Sequence, residues 1–170
     1  MRAPANRRVF VIGYDAITPL GNDLITTWDR AVQGHCGFRR VTRCEVDSMS
    51  NVVGEAADWD PSALDFADAK EVANWNAGFI HMTMAVCRNA LRDADIEMTS
   101  EFAPRTACLI GSSLNGHDAY RAATFALAER GPNRVSPYLL PNLCANLPGG
   151  KAGMLLGFTG PVFSPQGACA

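Results

Sequence analysis

A stripe of apolar side chains at Ala73, Ala77, Ile80, Met84, Cys87 and Leu91, spaced alternately by four and three residues, constrains the fold most. That spacing lines one face of a helix, predicted to run over about 69–94. Two β-rich apolar runs bracket it, Arg8-Val-Phe-Val-Ile-Gly13 and Thr106-Ala-Cys-Leu-Ile-Gly111, and each stops at glycine. Both read as buried strands. Strands alternating with helices in this order imply an α/β layered domain around a largely parallel sheet.

The connecting stretches carry turn and cap chemistry. Pro19-Leu-Gly21 is a turn, and Asn22 or Asp23 can cap a helix over 24–32 with Trp28 on its apolar face. Gly34-His-Cys-Gly37 ends it. Residues 38–60 are irregular, with β-like residues at Val41-Thr42 and Asn51-Val-Val-Gly54, and Asp58-Trp-Asp-Pro-Ser62 is turn chemistry. A small polar turn, Ser112-Ser-Leu-Asn-Gly116, leads into a helix over 117–130 that Gly131-Pro-Asn133 stops. Ser136-Pro-Tyr-Leu-Leu-Pro141 reads as an extended loop, followed by a helix over 142–156. The glycines at 149, 150 and 153 cost that helix stability and point to close packing against another backbone. Gly157-Phe-Thr-Gly160 turns the chain into a last apolar strand that stops, through Gln166-Gly167-Ala168, at Cys169.

A net charge of -2 without long like-charge runs argues against nucleic acid or a membrane surface as partner. Only Val9-Phe-Val-Ile12 follows the basic start before Gly13, too short for a signal sequence or a membrane span. The six cysteines are scattered without a CxxC, which suits reduced thiols in a cytoplasmic protein. No Cys/His pair has ligand spacing, so no metal is expected. Cys169 reads either as a nucleophile presented at a small-residue turn or as a small buried hydrophobe.

The ordered motifs go further. Arg7-Arg-Val-Phe-Val-Ile-Gly-Tyr-Asp-Ala-Ile-Thr-Pro-Leu-Gly-Asn22 with Trp28, then Gly111-Ser-Ser-Leu-Asn-Gly116, resemble elongating β-ketoacyl-[acyl carrier protein] synthases. So do Gly131-Pro-Asn-Arg-Val-Ser-Pro137, Pro141, Asn146, Gly160-Pro161 and Ala168-Cys-Ala170. The resemblance covers nearly the whole chain. It implies the amino-terminal half of a thiolase-like layered αβαβα fold, with residues 1–170 forming one half-domain that ends at the nucleophile turn.

In that family the cysteine matching Cys169 accepts the acyl group from acyl carrier protein as a thioester. Malonyl-loaded carrier is then decarboxylated and condenses with it in a Claisen reaction, in fatty acid or polyketide synthesis, without a cofactor. A helix N-terminus at Cys169 would favour the thiolate, and its backbone N–H would serve an oxyanion hole. The resemblance further implies that Leu114 gates the acyl pocket and that Leu139 lines it from across the subunit interface of a homodimer or heterodimer. Core packing is the alternative for both leucines.

Ser164-Pro-Gln-Gly-Ala168 departs from the smoother β-run usual before the family's Ala-Cys, and Pro165 suits an edge or bulged strand. The family's two histidines and lysine belong to its second half. His35, His81 and His117 read instead as structural or solvated. Met82, Met84 and Met98 read as packing. Arg39, Arg40, Arg43 and Arg134 either receive an acidic carrier protein or sit in solvated loops. The complementary carboxy-terminal half is expected from a second polypeptide, although a partial sequence would read identically. A non-catalytic ketosynthase-like partner or scaffold is the alternative function; a hydrolase or simple acyltransferase lacks a base. Half of a layered fold would leave a sheet face uncovered, so the isolated chain is expected to aggregate.

Overall fold

The computed structural model describes residues 8–45, 51–56, 58–65 and 67–168. Six α-helices and four short strands occur among them, in the order α1 (Leu24–Val32), β1 (Phe38–Arg40), β2 (Val52–Gly54), α2 (Ala69–Asn74), α3 (Gly78–Asp93), β3 (Cys108–Leu109), α4 (His117–Arg130), α5 (Leu139–Leu143), α6 (Leu147–Leu156) and β4 (Val162–Phe163). β1 and β2 pair antiparallel, Arg39 opposite Val53. β3 and β4 pair parallel, Cys108 opposite Val162 and Leu109 opposite Phe163. The α4–α6 segment forms the crossover between them, as a parallel pair requires. α6 packs between α3 and the β3–β4 pair.

Local chemistry accounts for α1 and α4 at the predicted bounds. The Asp23 carboxylate accepts from Thr26 N–H at 2.7 Å, capping α1; these Thr26 hydrogen bonds hold that carboxyl below its usual range. Gly116, at φ 63°, starts α4, and Gly131, at φ 82°, ends it. The apolar face of α1, however, points outward, with Ile25, Trp28 and Val32 all exposed.

The core gathers around α3, where Ile80, Met84, Ala77 and Ala85 pack with Trp59 and Leu64. Burying a side chain of the size of Ile80 or Met84 contributes roughly 1.5–3 kcal/mol. Met82 joins the rim of this cluster, and Met98 packs beneath Gly157.

Four local expectations are corrected. Arg8 to Gly13 is not a strand: no described strand runs beside it, and Val9 is 94% exposed. A β-rich run without a ladder partner has no reason to stay regular. Gly13 nonetheless packs tightly, since a Cβ there would stand 2.2 Å from Ala90 O. The predicted 69–94 helix is broken at Trp75-Asn76-Ala77 into α2 and α3. Two side chains distant in sequence stabilise the break. Asn142 Oδ1 accepts from Ala77 N–H (3.2 Å), and Asp118 Oδ2 accepts from Gly78 N–H (2.9 Å).

The 136–141 segment does not stay extended; Leu139 opens the short helix α5, with Asn142 N–H bonded to Tyr138 O at 3.0 Å. The 142–156 helix is consequently two helices, divided at Cys144-Ala145-Asn146. Its glycines differ in what they meet: a Cβ at Gly149 would lie 3.1 Å from Val162 Cγ1, one at Gly153 would lie 3.6 Å from the Phe158 carbonyl oxygen, and Gly150 faces open space.

Candidate active site

The approach to Cys169 is held by a ladder to the turn after β3. Cys108 N–H donates to Pro161 O (2.9 Å), Ile110 N–H to Phe163 O (3.0 Å) and Ser112 N–H to Pro165 O (3.2 Å). Ser112 and Gln166 then form a parallel bridge. Pro165 takes part through its carbonyl, so its missing N–H breaks no bond in this ladder, consistent with an edge position. Ala168 has φ 51°, left-handed backbone that costs a non-glycine residue roughly 1 kcal/mol. The chain therefore turns sharply just before Cys169, which itself lies outside the described residues.

This ladder brings the Gly111–Gly116 turn beside the residues preceding Cys169. Asn115 Nδ2 closes that turn by donating to Ser112 Oγ (3.3 Å) and Ser113 O (3.2 Å). Leu114 stands at its tip, 82% exposed. Packing within the described residues therefore does not account for Leu114. Leu139 is half-buried on α5 and lines a cleft of about 160 Å³ between α4 and α5, with Ala119, Ala122, Ala126 and Asn142.

Two polar residues that the sequence reading passed over organise the surroundings. Asn142 is 2% exposed; its amide bonds Ala77 N–H, Asn74 O and Tyr138 O. Lys151, 3% exposed, pairs with the Glu71 carboxylate and lies 4.2 Å from the centroid of the Trp75 ring. The signal for Lys151 was available: a single charge inside Leu-Pro-Gly-Gly-Lys-Ala-Gly-Met-Leu-Leu156 demands a buried partner. Asn142, between Pro141 and Leu143, offered no comparable signal.

Cys87, Cys108 and His81 are not poised for chemistry. Burial pushes the Cys87 thiol up to about 11, with Cys108 nearby adding to it; burial likewise raises Cys108. Such thiols stay protonated and are poor nucleophiles. His81 is buried and bonded through Nε2 to Val72 O at 3.0 Å, and burial lowers its pKa. Its role is structural, as the sequence implied. His35 and His117 are exposed. Arg39 pairs with Asp58 at 3.3 Å, and Arg43 donates to Ala56 O. No group of three His, Cys, Asp or Glu among the described residues is arranged to hold a metal ion. No helix among them is long and apolar enough to cross a membrane.

Comparison with known proteins extends this geometry. The chain is 32% identical over 166 residues to 3-oxoacyl-[acyl-carrier-protein] synthase 2 of Staphylococcus aureus, covering 97% of this chain and 39% of that protein. It thus spans well under half the length of that relative. Among solved structures, the ishigamide ketosynthase/chain length factor superposes with a TM-score of 0.74 at 20% identity, over 95% of this chain and 40% of that one. A type II polyketide synthase acyl-carrier protein in complex with its ketosynthase gives 0.67 at 17% identity, over 89% and 39%. These likenesses show the fold, the α/β amino-terminal half of the thiolase-like ketosynthase architecture. The model of the β-ketoacyl synthase N-terminal domain matches residues 6–170, and the chain belongs to that family.

Proposed function

We propose that this chain is the nucleophile-bearing half of a β-ketoacyl-[acyl carrier protein] synthase. The observation that carries the reading is the ladder ending at Ser112 and Gln166, which seats the Leu114 turn against the segment leading to Cys169. A thiol delivered beside a turn that presents an exposed leucine suits covalent acyl transfer.

In the proposed reaction the Cys169 thiolate attacks the thioester carbonyl of acyl-loaded carrier protein, and the carrier's thiol leaves with a proton. Backbone N–H groups at the turn stabilise the oxyanion. Malonyl-loaded carrier then loses CO₂, and its carbanion attacks the Cys169 thioester. A β-ketoacyl carrier is released and the Cys169 thiolate regenerated. Leu114 gates and Leu139 lines the acyl pocket. The two histidines and lysine that handle decarboxylation come from the complementary carboxy-terminal half, since His35, His81 and His117 do not fit. The proposed setting is the cytoplasm, with the protein in a homodimer or heterodimer.

A non-catalytic scaffold has no need of Cys169, so the catalytic reading is preferred. Intact-mass measurement on the full-length protein with acyl-loaded carrier decides. A mass gain at Cys169, absent in Cys169→Ala, is expected; turnover with Cys169 unmodified would end the proposal.

A further inference from the structure

We propose that Asn142 is a positioning residue for the acyl pocket, an inference that rests on the ketosynthase reading above. Its side chain joins the end of α2, the start of α3 and the first turn of α5. Oδ1 accepts from Ala77 N–H (3.2 Å), while Nδ2 donates to Asn74 O (2.9 Å) and to Tyr138 O (3.0 Å). The first two bonds fasten the break between α2 and α3; the third closes the first turn of α5. At 2% exposure, water cannot replace these partners.

The Asn142 backbone locks a fourth segment. A Cβ at Gly116 would stand 2.3 Å from Asn142 O and 2.9 Å from Leu143 Cδ2, so the end of the Leu114 turn rests directly on α5. Trp75, in the break itself, meets Tyr138 edge-on at 5.6 Å between ring centroids. Leu139 is three residues before Asn142, and both line the cleft between α4 and α5. The side-chain amide therefore fixes α5, which carries Leu139, against the α2–α3 break, and the Leu114 turn rests in its turn on the α5 backbone. Losing the amide leaves both leucines present but lets the pocket wall move, which penalises a long chain that must fill the pocket and spares a short one that does not.

The test compares acylation rates of the full-length protein with acetyl- and dodecanoyl-loaded acyl carrier protein. In Asn142→Ala, dodecanoyl transfer is expected to fall about tenfold while acetyl transfer stays within about twofold. Should that variant fail to fold, Asn142→Ser, which keeps one hydrogen-bonding oxygen, carries the same comparison with a smaller change in the same direction. A ratio of the two rates equal to wild type, even with both rates lowered, would reduce Asn142 to a general stabiliser and overturn the inference. Wild-type protein that accepts neither chain would instead overturn the ketosynthase reading, and the inference with it.

Discussion

Gly160 lies so close to Thr106 that a Cβ at position 160 would stand 2.3 Å from the Thr106 carbonyl oxygen. The Gly160 N–H also bonds Ala103 O at 3.1 Å, and the next residue, Pro161, accepts from Cys108 N–H. This contact sets the register of β4 on β3, and through the ladder it sets where Gln166 meets Ser112. A motif glycine far from the thiol thus helps place the thiol's approach.

Gly160→Ala should accordingly destabilise the full-length protein by about 2–3 kcal/mol, because backbone must move to admit the methyl group. Cys169 acylation should fall with it. Urea unfolding midpoints provide the measurement, and an unchanged midpoint would contradict the close approach.

The Glu71–Lys151 pair should respond asymmetrically. Glu71→Ala strands a buried ammonium and should cost about 2 kcal/mol or more, whereas Lys151→Met keeps the volume, removes the charge and should cost under about 1 kcal/mol. Equal losses from chemical denaturation of the two variants would argue that Lys151 is solvated.

His81 supplies a pH dependence with a definite sign. Its folded pKa lies below the unfolded 6.5 because burial disfavours the imidazolium. The unfolded chain then binds more protons, so stability is fully present above about 6.5 and declines as pH drops below it. In His81→Gln that particular decline should disappear. Melting temperatures of the two proteins across this range provide the check, and parallel curves would remove His81 as the cause.

Thiol alkylation should sort the described cysteines by exposure. Cys36, Cys44 and Cys144 are exposed, while Cys87 and Cys108 are held protonated by burial. Peptide mass spectrometry after mild iodoacetamide treatment should find the first three modified well before the other two. Early modification of Cys87 would indicate that α3 opens readily.

Elements whose signals are local were legible from residues alone. Asp23 caps α1 within three residues, and the two glycines at 116 and 131 bracket α4 at the predicted bounds. The break at Trp75-Asn76-Ala77 was not legible, because the apolar period runs through it undisturbed and the groups that satisfy it, Asn142 and Asp118, lie far along the chain. Arg8 to Gly13 failed for the converse reason. Its β-forming residues state a preference, but a strand exists only where another strand takes its hydrogen bonds.

The order of motifs along the chain was enough to assign the family, and it was the resemblance those motifs carry that nominated Cys169, Leu114 and Leu139. Which turn rests on which helix was decided only by tertiary structure. Buried amides and carbonyls must find partners wherever packing brings them, and Asn142 finds two of its three partners in segments 65 and 68 residues away.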